Sequence, residues 1–338
     1  GYKTMSTSTQ TVPTPETSNE TELRPEALQA IQLIHQALES WDAEAGVELT
    51  PTSASFPVLY GHCTISASPL NIDTYDGHRL AEQFVARTEL SYVIDDFDDD
   101  FLTLANEYAT TGAALRCPDT GRAVLLSRVS VFREDIDALM KLYVPTLWWS
   151  SLIQSFSIQH AMRIQFGIDF LGEKSETIGV PGYDESSRWR ADEFALAEEK
   201  LRAVGVYCNA GESGLTAEFA WEPGAVSAMT GDQTSLLQMN STTTHPTAGN
   251  GLVFRLVLPV SGDERELAMC ANKLNVLEID GIDIPPGFGA WSVIPQFQGV
   301  GYTGFWPNCM NQPGTVASIA GWCLLRNRIA QRVVSNSC

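Results

Sequence analysis

Six residues draw the eye first for chemistry: Asp95-Asp96-Phe97-Asp98-Asp99-Asp100, five carboxylates interrupted by one ring. Mg²⁺ and Ca²⁺ take oxygen ligands, so Asp95, Asp96, Asp98 and Asp99 are the residues that could hold a metal, and with it a metal-dependent reaction. An EF-hand loop does not fit. If Asp96, Asp98 and Asp100 filled positions one, three and five, Phe101 would occupy the sixth, where the turn needs glycine. The preferred reading is a helix N-terminus, at which carboxylates cap free N–H groups and oppose the positive end of the helix dipole.

The other chemical candidates are weaker. Gly211-Glu212-Ser213-Gly214 begins like a nucleophile elbow, but Leu215 stands where the last glycine belongs. The five histidines, at 35, 62, 78, 160 and 245, show no metalloprotease spacing. His62 and Cys63 are adjacent in an extended stretch and so point to opposite faces. The glycines at 287–289 and 299–304 do not form a dinucleotide fingerprint, and turn and hairpin roles are expected of them. No cofactor is expected. The aromatic residues are the better candidates for a binding surface. Trp148 and Trp149 are consecutive on a helix, about 100° apart, and cannot both face one core direction. Trp291, Phe305, Trp306 and Trp322 occupy the matching region of the second half. Trp148, Trp149 and Trp306 are therefore the candidate partner contacts, although core packing or a lobe–lobe interface is the preferred use of these rings.

Helical spacing of Leu28, Ile31, Ile34, Leu38 and Trp41 behind Pro25 predicts a first helix. Alternation then predicts strands through Phe56–Tyr60 and Phe84–Tyr92. The Asp run opens a second helix with Phe101, Leu104 and Ala105. Strands at 113–117 and 123–131 flank Pro118-Asp119-Thr120-Gly121, a hairpin turn. A long third helix starts near Arg133, with Pro145 expected to kink it. The second half repeats the order: a helix from about Ser186, four strands, a helix from Glu264 to Leu277, two strands, and a final helix from about Gly314. This predicts an α+β protein of two lobes, each helix–antiparallel strands–helix–two strands–helix, at 23–165 and 183–338, behind a flexible polar tail at 1–22.

The whole chain sets further bounds. Its 338 residues make about two domains at the usual size. With 21 basic and 41 acidic residues the net charge is −20, which repels phosphate backbones and anionic lipids, so neither nucleic acid nor membrane is an expected partner. No run approaches about 20 apolar residues. Seven cysteines, odd in number and without Cys-x-x-Cys pairs, read as reduced thiols in a cytoplasmic protein.

One resemblance adds to this. Ala271-Asn272-Lys273-Leu274-Asn275 followed by Phe288-Gly289-Ala290-Trp291, then Phe305-Trp306-Pro307-Asn308, resembles the type III secretion chaperone-like fold, including its bacterial YbjN-type relatives. Leu104-Ala105-Asn106 before Gly112-Ala113-Ala114-Leu115 is the counterpart in the first half. The family's element order is helix, three strands, helix, two strands, helix. The resemblance implies a small, acidic protein that engages another polypeptide and catalyses nothing. Self-assembly into a structural protein, and a metal enzyme built on the Asp run, are the alternatives. Tandem copies that pack as a pseudo-dimer within one chain are the architectural expectation.

Overall fold

A computed structural model of the chain describes residues 22–40, 46–59, 61–74, 77–90, 98–117, 119–167, 189–221, 233–280 and 284–337. The expected tail lies outside them but for Glu22. The first half runs α1 (Pro25–Glu39), β1 (Glu48–Thr50), β2 (Ser53–Val58), β3 (Gly61–Thr74), β4 (Gly77–Leu90), α2 (Asp99–Glu107), β5 (Ala113–Arg116) and β6 (Ala123–Phe132). A segmented helix closes it, as α3 (Ile136–Ala138), a π-helical turn (Leu139–Tyr143), α4 (Val144–Ile153) and α5 (Phe156–Phe166). The second half runs α6 (Ala191–Ala203), β7 (Tyr207–Ala210), β8 (Gly214–Ala220), β9 (Thr234–His245), β10 (Gly249–Val257), α7 (Glu264–Asp280), β11 (Ala290–Ile294), β12 (Gly299–Pro307) and α8 (Thr315–Ser337).

The strands form two six-stranded antiparallel sheets, ordered β1-β2-β3-β4-β6-β5 and β7-β8-β9-β10-β12-β11. The wiring is the same in both, so the chain is α+β with two lobes of one topology. Four strands precede the central helix of each lobe, as expected for the second half and one more than the resemblance implies. The additional one is a short outer strand, β1 or β7. Its free side is defended in the second lobe. Arg202 of α6 donates to the Cys208 carbonyl (2.9 Å), and Glu198 accepts from the Ala210 N–H. Side chains thus occupy backbone groups that would otherwise template another strand.

Local chemistry accounts for most elements. Cys117 closes the β5–β6 hairpin, accepting from the N–H of Gly121 (φ +68°) and donating to the Arg122 carbonyl, both at 2.8 Å, while Pro118 of the expected turn lies outside the described residues. The expected kink at Pro145 takes the form of the π turn before α4, which relieves the clash between the proline ring and the preceding helical carbonyl. The glycines of 299–304 depart from expectation, because they lie inside β12 rather than in a turn. A Cβ at Gly304 would sit 2.1 Å from the Phe254 ring directly across the ladder. Each sheet buries one face: Cys63, Ile65, Phe84 and Ala86 in the first lobe, Leu215, Ala217, Leu237 and Met239 in the second. α1 with α4, and α6 with α8, cover these faces.

Polar side chains fasten the helices to the sheets. Gln154 at the end of α4 reaches Thr88 of β4 (2.5 Å), while Ser150 accepts from Thr111 (2.9 Å). Most telling is a pair of asparagines. The buried Asn106 carboxamide donates to the Ala114 carbonyl (3.0 Å) and accepts from its N–H (2.7 Å). Asn275 does the same for Trp291, at 2.8 Å in both directions. Each carboxamide stands in for a strand neighbour, joining the central helix of its lobe to the edge strand that follows it. The segments paired by sequence likeness are thus equivalent in the structure.

Replacing Asn275 with Ala strands a buried donor and acceptor on Trp291, and should lower unfolding free energy by about 2–4 kcal/mol. Asn275→Asp should recover only part, since it cannot donate to the Trp291 carbonyl. Urea unfolding of the three chains measures both.

Candidate functional site

The lobes join through equivalent elements. α2 packs on β11 and on α7, and α7 in turn reaches β5. At two places the backbones pair across the junction. Arg128 of β6 exchanges hydrogen bonds with Gly287 (3.1 and 2.7 Å), and the Phe305 N–H of β12 donates to the Thr110 carbonyl (2.9 Å). The same offset along the chain relates Thr110 to Gly287, Ala114 to Trp291 and Arg128 to Phe305. The contacts are therefore reciprocal, as in a two-fold dimer folded from one chain.

Charge is buried at this junction. Arg326 of α8, 2% exposed, donates to Glu278 of α7 (2.6 and 3.2 Å) and to the carbonyls of Pro285 (3.1 Å) and Pro286. It also lies 4.0 Å above the Tyr302 ring. Burial opposes its charge, but Glu278 and Tyr302 outweigh that and hold its pKa above the ordinary value. Arg128 of the other lobe donates to the same Pro285 carbonyl at 3.4 Å, and burial lowers its pKa. The Trp291 indole N–H completes the Glu278 carboxylate (2.9 Å).

His245, which showed no partner in the sequence, is the second link. Its Nε2 donates to the Tyr108 carbonyl of the first lobe (2.7 Å), and Nδ1 accepts from the N–H groups of Thr247 (3.1 Å) and Ala248 (3.0 Å). Only the neutral ring satisfies all three bonds. Burial, with His160 nearby, pushes its pKa down to about 4.

Of the candidate metal ligands, Asp95 and Asp96 lie outside the described residues. Asp98 is the N-cap of α2 and accepts from the Phe101 N–H at 2.9 Å, while Asp99 and Asp100 are exposed in its first turn. Among the described residues no group of three or more His, Cys, Asp or Glu side chains is placed to hold a metal. The three aspartates instead rim a groove of about 620 Å³ shared with Glu264, Arg265, Ala268 and Met269 of α7. A second groove of about 270 Å³ continues from Met269 past Cys270 and Lys273 to Val260. Met269 (49% exposed) and Val276 (48%) lie seven residues apart on one face of α7.

The tryptophans fall elsewhere. Trp306 is fully buried, its indole N–H facing the Phe288 carbonyl (3.5 Å) and its ring beside Trp322, so it is core and not a partner contact. Trp148 and Trp149 are half-buried against the main core, Trp148 beside Phe56 with ring centroids 5.7 Å apart. Sequence reading missed Met269 and Val276, whose seven-residue spacing was the available signal. Among the described residues no helix is long and apolar enough to cross a membrane. No protein-family model matches the chain, and no match is found among curated proteins or among solved structures.

Removing Arg326 strands the Glu278 carboxylate. Arg326→Met should cost about 3–5 kcal/mol, and adding Glu278→Leu should restore part of it, in a denaturation double-mutant cycle. His245 makes stability pH-dependent. The unfolded ring takes a proton near its ordinary 6.5, but the folded ring resists down to about 4. Its contribution is therefore complete above that ordinary value and falls as pH drops through the interval, by up to about 3 kcal/mol. His245→Gln should flatten this part of the stability profile.

Proposed function

We propose that the chain is a non-enzymatic, chaperone-like protein that engages another polypeptide, in the manner implied by its resemblance to type III secretion chaperone-like proteins. The observation that carries this reading is the groove between the starts of α2 and α7, with a second groove along α7 that shares Met269. Met269, and Val276 further along the same face of α7, stay in solvent although the fold absorbs most other large apolar side chains of that lobe. Exposed apolar side chains beside hydrogen-bonding rims are what protein partners cover. The repeated lobe topology and the reciprocal junction support it, since a pseudo-dimer presents a broad, stable surface without a second subunit. The half-buried Trp148 and Trp149 remain candidates at its margin.

Self-assembly is the second reading, favoured by Val204 (61% exposed) and Tyr207 (67%) beside the outer strand β7. The Glu198 and Arg202 contacts to β7 weigh against it.

A photoreactive phenylalanine analogue at position 269, and separately at 276, tests the choice in cells producing the full chain. Adducts to one polypeptide, lost when the other of the two positions is changed to Glu, support the proposal. Adducts only to the chain itself, with size rising with concentration, move the reading to self-assembly. Failure at both positions overturns the groove as a binding surface.

A further inference from the structure

The face of the second sheet opposite α6 and α8 holds a row of hydrogen-bonding side chains, exposed at Asn209 and Thr216, half-buried at Gln238 and Arg255, and buried at Thr303. Strand register places Asn209 opposite Thr216, Thr216 opposite Gln238, Gln238 opposite Arg255 and Arg255 opposite Thr303. Residues directly opposite share a face, so β7, β8, β9, β10 and β12 contribute one polar side chain each to a single line. Their chain neighbours Cys208, Leu215, Ala217, Leu237, Met239, Phe254 and Leu256 point into the core. Asn209, Thr216, Gln238 and Arg255 of this line floor a groove of about 470 Å³, bounded by the turn at Gly211–Gly214 and by Val253.

Arg255 is the unusual member. Arg326 and Arg128 have their guanidinium groups tied to Glu278 and to the carbonyls of Pro285 and Pro286. Arg255 is half-buried, yet among the described residues its side chain makes one hydrogen bond, from Nε to Thr303 Oγ1 at 3.3 Å, and no ion pair. Four of its five N–H donors remain for a ligand. Burial works against its charge, and Glu107 at the end of α2 compensates only in part. Glu107 acts on this guanidinium without hydrogen-bonding to it, so a ligand carboxylate that does would offset the remaining cost of burial.

We propose that this groove seats an acidic side chain carried on an extended polypeptide, with the carboxylate on Arg255 and the flanking backbone on Gln238, Thr216 and Asn209. The proposal rests on the polypeptide-binding reading and names the chemistry of one of its contacts. Charge selects the ligand. Arg255 is the one cation among the residues lining the groove and Glu212 the one carboxylate, a balance that suits a singly charged carboxylate better than a phosphate dianion. Geometry selects a polypeptide. From β7 to β10 the row spans roughly 14 Å, the reach of about four extended residues and longer than a small organic acid. Carboxamides that pair with a peptide group in both directions already occur in this protein, at Asn106 and Asn275. Asn209 and Gln238 offer the same donor and acceptor to an incoming chain.

The test uses the full chain and a displayed library of random 12-residue peptides, roughly 40 Å when extended. Selected peptides should be enriched for one acidic position, and Arg255→Gln should weaken their binding at least tenfold. Gln238→Glu is the sharper variant, because it places a carboxylate directly opposite Arg255. It should abolish binding while leaving the urea midpoint at or above that of the parent chain. Gln238→Ala should weaken binding less. If selected peptides bind Arg255→Gln and Gln238→Glu as well as the parent but lose affinity for Met269→Glu, this inference falls while the polypeptide-binding reading stands. If N-acetylglutamate amide competes at the concentration of the peptides, the site takes small carboxylates and the polypeptide part is overturned. If the library yields no binder while the photoreactive chain still forms adducts to one polypeptide, this inference falls and the polypeptide-binding reading stands.

Discussion

Each lobe depends on the other to finish its edge. A six-stranded sheet ending in β5 or β11 would leave that strand open, and an open strand is a site for indiscriminate pairing. Here the central helix of the opposite lobe lies against it, and backbone hydrogen bonds at Arg128–Gly287 and Thr110–Phe305 close the gap from both sides. The arrangement is mutual because the lobes share one topology: whatever covers one edge has an equivalent that covers the other. The buried Arg326–Glu278 pair holds the segment at 284–287 where this exchange happens, and Arg128 brings the first lobe to the same Pro285 carbonyl.

The molecule handles buried polarity in two ways. At the junction the charged groups and His245 are matched: Glu278 takes Arg326 and the Trp291 indole, and His245 uses both ring nitrogens. Asn106 and Asn275 spend their carboxamides on strand backbone. Such matching is the condition for keeping polar atoms out of water at small net cost. The face of the second sheet opposite α6 and α8 is different. Arg255, Gln238, Thr216 and Asn209 are aligned by the same ladder that builds the core, yet most of their hydrogen-bonding capacity points outward. Structure and recognition thus sit on opposite faces of one set of strands, separated by the two-residue alternation of the pleat.

The acidic run and the tryptophans show how one residue type serves different ends according to place. Asp98 caps a helix, and its neighbours rim a groove without converging on a metal site. Trp291 and Trp306 pack into the interior of the second lobe, where their large surfaces stabilise the junction. The apolar surface left for a partner is supplied by Met269 and Val276, residues that draw little notice in the sequence beside eight tryptophans.

By itself the sequence determined what depends on neighbours along the chain. The helix at Pro25, the cap at Asp98, the hairpin at Gly121, the interruption at Pro145 and the repeated element order are local, since turn chemistry and periodicity act within a few residues. The likeness between Asn106 and Asn275 was legible too, though not what those carboxamides bond to. Only the tertiary structure decided which strands are neighbours. β4 pairs with β6 and β10 with β12, each across an intervening helix and strand, and these crossings place Arg128 beside Gly287, His245 on Tyr108 and Arg255 in line with Asn209. Burial of Trp306 and exposure of Met269 follow from the same pairings. No local propensity encodes them, because a side chain's face is set by the register of strands far apart in the chain, and a shift of one residue would turn every side chain of a strand to the other side.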